Sequence, residues 1–124
     1  FIKKNKHRVS DDVAKTLKIV STRGAEFNNM SLDEKIEAIC NSIEYLLKPH
    51  KKSDKFIVLD YTDTAGYLSD DIVKGYRNKL ECFRHSTKED INKRSNYTDS
   101  QKDFFINYGL VIIDYINRKM IDDQ

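Results

Sequence analysis

Three histidines, His7, His50 and His85, supply the imidazoles of this chain, and only these groups are ready to move protons near neutral pH. His7 and His50 lie in basic stretches that read as loops. His85 closes the segment Tyr76-Arg-Asn-Lys-Leu-Glu-Cys-Phe-Arg-His85. On a helix, Arg77 and Arg84 project about 20° apart, and Asn78 and His85 project about 20° apart on the adjacent polar side. A guanidinium that grips a phosphate, beside an imidazole acting as acid or base, suits cleavage of RNA at the 2′-hydroxyl. In that reading Arg77 holds the phosphate, Asn78 orients it and His85 moves the proton. Arg84, Lys88 and Lys93 supply further phosphate contacts. A plainer reading uses the same residues. Glu81 follows Arg77 by four positions and precedes Arg84 by three, the spacing of a surface ion-pair ladder.

Other chemistries lack their signatures. The two cysteines, Cys40 and Cys82, stand far apart, with no CxxC and no HExxH, so no metal site is expected. There is no P-loop and no GxGxxG, and no cofactor is implied. No nucleophile elbow marks a serine, although a dispersed Ser-His-Asp set stays open. Both cysteines sit in apolar patterns, which favours buried thiols in a reducing, cytoplasmic setting. The alternative is a secreted domain with a Cys40–Cys82 disulfide. Asn96-Tyr97-Thr98 matches a glycosylation sequon, a pattern that often arises by chance.

The elements that must position these residues are helices. Ser10, with Asp11 and Asp12, caps a first helix whose Val13, Leu17 and Val20 share a face, and Gly24 closes it. Ser31-Leu-Asp-Glu34 is a capping box. Leu32, Ile36, Ile39, Cys40, Ile43, Leu46 and Leu47 then form one apolar stripe, with Glu37, Asn41 and Glu44 opposite, until Pro49. Residues 50–68 are ambiguous. The apolar run Phe56–Leu59 fits a short helix capped by Ser53-Asp54, or a short extended segment near 55–60, and Tyr61–Gly66 reads as loop. Ser69 starts a third helix predicted to reach His85 or Ser86. Thr87 caps a short helix through Arg94. Thr98-Asp-Ser-Gln101 is a second capping box, opening a last helix that is apolar almost all round from Phe104 to Met120. Such a helix is central in a bundle or lies in an oligomer interface. Gly109 falls on its apolar face, where it costs about 1 kcal/mol against Ala unless a neighbour needs the close approach.

These elements predict an all-α fold, an antiparallel bundle of four to five helices. Residues 1–9 form a basic arm or linker end and 10–124 a single domain. A chain of 124 residues can bury a core without disulfides. Opening on Phe1 rather than Met, it reads as part of a larger protein with other domains, or one relieved of a leader. One proline and four glycines argue against a β-sandwich, and no apolar run is long enough to cross a membrane. The net charge of +2 demands no nucleic-acid partner. Its distribution is more suggestive, because basic residues cluster at 3–8, 48–55 and 74–94.

Two stretches resemble the signature of HEPN domains, helical bundles that include many metal-independent RNases of defence and toxin systems. The signature is Arg, a polar residue, then His after four to six residues. Arg77-Asn78 with His85 has this form with seven residues intervening, one more than the pattern. Arg94-Ser95, ahead of the final helix, is similar to the Arg-Ser-x-x-x-His form, with Asp99 where the family has His. An Asp lacks the near-neutral pKa of an imidazole, so a site built on Arg94, Ser95 and Asp99 would be degenerate or altered. Ala38–Leu47 resembles the early helix of such domains, and the likeness spans roughly residues 31–120. It implies a metal-independent endoribonuclease or a degenerate relative, acting on RNA as a homodimer with facing Arg–His sites. The competing expectation is a non-catalytic helical module that binds a protein or nucleic acid.

Overall fold

The computed structural model describes residues 11–48 and 57–122. It is an all-α bundle, and the described residues contain no strand. Among the described residues six α-helices follow in order: α1 (Asp11–Thr22), α2 (Ala25–Asn28), α3 (Leu32–Leu47), α4 (Asp70–Lys79), α5 (Lys88–Arg94) and α6 (Asp99–Asp122). Helix α3 is the hub, packing on α6 along one side and on α1 along another. Its Ile36, Ile39, Cys40 and Ile43 are fully buried, as are Ile112, Ile113 and Ile116 of α6 and Val20 of α1. Burying such side chains yields about 1.5–3 kcal/mol each, enough to hold helices too short to persist alone.

Caps fix where these helices begin. Ser31 Oγ accepts from Glu34 N at 3.1 Å while Glu34 Oε1 accepts from Ser31 N at 2.9 Å. Thr98 and Gln101 make the same reciprocal pair at 3.1 and 2.9 Å. Ser69 accepts from Ile72 N, and Thr87 from Asp90 N. Ser10 and the Ser53-Asp54 pair lie outside the described residues, as do the basic stretches 1–10 and 49–56.

Three expectations need correction, and one alternative falls. Gly24 does not supply the left-handed residue that ends α1. Arg23 does, at φ 53, and its guanidinium ion-pairs with Asp114 of α6. Gly24 instead precedes the extra one-turn helix α2, anchored by buried Phe27. Residues 57–61 form neither helix nor strand. Ile57 N donates to Leu47 O, Leu59 and Tyr61 point into the core, and a 3-10 turn follows at Thr62–Thr64. Helix α4 stops at Lys79, not near His85. Leu80 leaves the α-helical register, and Glu81–Phe83 wind as a tighter 3-10 turn that buries Leu80, Cys82 and Phe83 together. Both thiols are buried and free, so the Cys40–Cys82 disulfide is not formed.

Helix α6 is less uniformly enclosed than its composition suggests. Ile106, Ile112, Ile113, Tyr115 and Ile116 face the core, whereas Phe104 and Val111 are exposed. Gly109 marks a close crossing. A Cβ there would fall 2.5 Å from Ile39 Cγ2 and would collide with the Tyr76 hydroxyl. The predicted close approach of a neighbouring helix is therefore present.

Candidate functional site: an arginine–histidine corner at the end of α4

The break after Lys79 decides what the candidate residues touch. Arg77 and Arg84 no longer share one helix, yet both reach the same carboxylate across the bundle. Arg77 Nη2 lies 2.9 Å from Glu44 Oε2, and Arg84 Nη2 lies 2.7 Å from Glu44 Oε1. Arg84 Nε also donates to Asn41 Oδ1 at 3.1 Å. Arg77 is 7% exposed. A guanidinium so enclosed is bound into the fold rather than presented to solvent. The charge-assisted forks that suit phosphate are here closed on a carboxylate.

The network continues outward. Glu81 Oε2 stands 3.6 Å from Arg84 Nη1, and Glu81 Oε1 lies 2.8 Å from His85 Nε2. One chain of contacts thus runs Arg77, Glu44, Arg84, Glu81, His85, from core to surface. The expected ladder is present between Glu81 and Arg84. His85 is exposed and its ring is held at one nitrogen by a carboxylate. Such an arrangement fixes an imidazole for proton transfer.

Arg94 joins the two candidate motifs. From the last residue of α5 its Nη2 donates to the carbonyl oxygen of His85 at 2.6 Å. The arginine of the second motif therefore sits on the histidine of the first. Ser95 and Asp99 stand apart from this corner: Ser95 Oγ donates to Asn92 O at 2.7 Å, and Asp99 is exposed in the first turn of α6. Asn78 is exposed on the adjoining polar face. Lys88 is exposed at the start of α5, and Lys93 pairs with Glu89 at 3.3 Å on the same helix.

Burial pushes the Cys40 thiol, fully enclosed beneath this network, up to about 12, despite the opposing pull of Arg84 and Arg77. It is a packing group rather than a nucleophile. Among the described residues no group of His, Cys, Asp and Glu side chains could hold a metal ion. No described helix is long and apolar enough to cross a membrane.

Sequence reading left two features of this corner unseen. Glu44 was assigned only to the polar face of α3, and nothing local tells a solvated glutamate from one that binds two arginines. The Arg94–His85 contact spans a turn between two short elements and has no periodic signal. The Glu81–His85 pair, at i and i+4, went unread as well, although its spacing alone could have given it.

The geometry defines an all-α bundle with an Arg–His–Glu corner at one surface. Comparison with known proteins adds no relative: no family model, no curated protein and no solved structure matches this chain.

Proposed function

We propose that this chain is a HEPN-like helical domain that cleaves RNA without metal at a composite site. His85 carries the proton, Glu81 fixes its ring, and Arg94 faces the phosphate. The observation that carries the reading is the Arg94–His85 contact, which ties a guanidinium to the backbone of the residue that bears an exposed, carboxylate-held imidazole. In the reaction, the ribose 2′-oxygen attacks the adjacent phosphorus as its proton passes to a base. The 5′-oxygen leaves and takes up a proton, giving a 2′,3′-cyclic phosphate and a 5′-hydroxyl end. One imidazole serves either transfer, and a guanidinium offsets the charge that builds on the phosphoryl oxygens. Arg77 and Arg84 support the corner through Glu44 and do not touch the substrate. Lys88 and Lys93 flank it. The same resemblance carries a homodimer, and the two buried thiols carry a reducing, cytoplasmic setting, as parts of this proposal.

The test is incubation of the purified protein with a mixed RNA pool in the presence of a chelator, beside His85→Ala and Arg94→Ala. Cleavage to cyclic-phosphate ends, lost in both variants, is the expected result. Intact RNA with the wild-type protein would overturn it in favour of a second reading. That reading, a degenerate and non-cleaving module that binds RNA or a protein, draws its support from Glu44 closing off Arg77 and Arg84 and from Asp99 standing where a histidine is expected.

A further inference from the structure

Two hollows lie along α4 and the turn that follows it. One, of about 430 Å³, is polar, with Asn78, Lys79, Glu81, Lys93 and Asn96 around it. The other, of about 650 Å³, runs between α4 and α6 and is walled by the rings of Tyr76, Phe104, Phe105 and Tyr108. Lys79 and Tyr97 line both, so the two hollows are neighbours. Glu81, the residue that holds His85, lines the polar one. From Glu81, which holds the imidazole, this cleft of two neighbouring hollows offers in turn two lysines, two side-chain amides and an aromatic bed.

The bed is unusual in what it leaves open. Phe104 is 63% exposed although its ring is braced by Phe105 and Tyr108, with centroids at 6.2 and 5.9 Å. Tyr76 is pinned behind it, its hydroxyl donating to Phe105 O at 2.7 Å. The charge left over in the cleft is positive. Glu81 is engaged by Arg84 and His85, and Asp90 accepts from the Thr87 hydroxyl at 2.6 Å. Asp71 lies in the first turn of α4, where the helix dipole favours it. Lys79 makes no ion pair among the described residues, and Lys93 has only the exposed Glu89. Aromatic faces beside uncommitted cations are the recurring means of holding unpaired nucleotides. An amphipathic protein helix would fill the aromatic half and make no use of the lysines and amides.

We infer that this cleft binds the unpaired nucleotide of a single-stranded RNA next to the bond placed at His85, its base on the Phe104–Tyr108 rings and its phosphate between Lys79 and Lys93. The inference rests on the RNA reading above and adds the track by which the strand reaches the corner. Its test is fluorescence anisotropy with a labelled, short, unstructured RNA. The protein carries His85→Ala throughout, so that the probe survives. Phe104→Ala in that background is expected to weaken binding roughly 5- to 150-fold, the range for loss of one base–aromatic stack. Because Phe104 is exposed, its truncation leaves the fold in place, as circular dichroism will check. Lys79→Ala is expected to weaken binding less and to lower the salt dependence by about one phosphate contact. RNA bound equally well by all versions would overturn the cleft and leave the RNA reading standing. Absence of RNA binding in every version, together with uncut RNA in the wild type, would overturn both. A Phe104→Ala change that alters only the sedimentation of the protein would assign the groove to contacts between copies and overturn the inference.

Discussion

Arg94 Nη2 donates to the backbone carbonyl of His85 at 2.6 Å, tying the last residue of α5 to the residue just past the 3-10 turn. The bond is to the main chain, so it constrains where the His85 ring begins without occupying the ring itself. Glu81 completes the constraint from the other side. Removing the imidazole should cost roughly 10²- to 10⁴-fold in RNA cleavage, the usual share of a proton-transfer group. His85→Ala should leave the thermal midpoint nearly unchanged, because the side chain is exposed and its pair with Glu81 is worth at most about 1 kcal/mol. Arg94→Ala should lose both activity and some local order, because the carbonyl of His85 then loses its donor. Proton-exchange rates at residues 84–86 would register that order. Unchanged exchange with lost cleavage would assign Arg94 to the phosphate alone.

Glu44 offers a sharper test of the interior. Its carboxylate answers two guanidinium groups whose side chains are 8% and 14% exposed. Glu44→Ala would remove the carboxylate that the two share, leaving Arg84 with the longer Glu81 pair and Asn41 and stripping Arg77 of its Glu44 contact. Breaking a buried pair in this way costs about 3–5 kcal/mol, far more than the pair contributes when intact. Urea unfolding should therefore show Glu44→Ala as severely destabilised. Arg84→Ala should be milder, since Arg77 keeps Glu44. Equal and small losses in the two variants would mean that water reaches this network freely.

Much of the fold was readable wherever the governing contact is local. The two capping boxes, the Ser69 and Thr87 caps and the stripe of α3 all depend on residues three or four apart, and each stands as the spacing predicts. The end of α4 was not readable from its stripe. Tyr76, Leu80 and Phe83 satisfy an α-helix and an α-helix followed by a 3-10 turn equally well. The distinguishing residue is Cys82, which is buried although a continuing α-helix would turn it away from that stripe. The run Phe56–Leu59 misled in a similar way. Val58 is 74% exposed while Leu59 is buried, an alternation with no partner strand beside it. The candidate corner depends on contacts between α3, the 3-10 turn and α5. Sequence spacing marks the types of residue there but not which arginine meets the histidine.

Gly109 sets intrinsic helix preference against packing. Replacing Gly by Ala inside a helix normally gains about 1 kcal/mol. Here the new methyl would meet Ile39 Cγ2 at 2.5 Å and press on the Tyr76 ring, which its hydrogen bond to Phe105 O holds in place. Overpacking a dense core costs about 1–3 kcal/mol, so the net effect of Gly109→Ala should be destabilising. Adding Tyr76→Phe should recover part of the loss, since it removes the atom that collides first. A urea midpoint that rises in the single variant would show that α4 and α6 separate easily.

Alkaline pH should expose the buried thiol. Desolvation raises Cys40 from 9.0 in the unfolded chain to about 12 in the fold. Below 9.0 the thiol is protonated in both states and its contribution to stability is complete. Between 9.0 and about 12 the unfolded chain gives up a proton that the native state keeps, so stability falls as pH rises. A single such group contributes about 1.4 kcal/mol per pH unit. Tyr61, raised from 10.0 to about 12 chiefly by burial, and Tyr76, raised by burial as well, steepen the fall from about one unit higher. Urea midpoints should thus be level up to about pH 9 and drop beyond it. In Cys40→Ala the baseline is lower because a buried sulfur is lost, and the fall between pH 9 and 10 should be shallower, because there only Cys82, also raised by burial, still contributes before the tyrosines do. Parallel curves for the two proteins would remove Cys40 as the source of the slope. A thiol reagent provides the independent check: both cysteines should react after denaturation, and in the native protein Cys40 should be protected as long as the core stays closed.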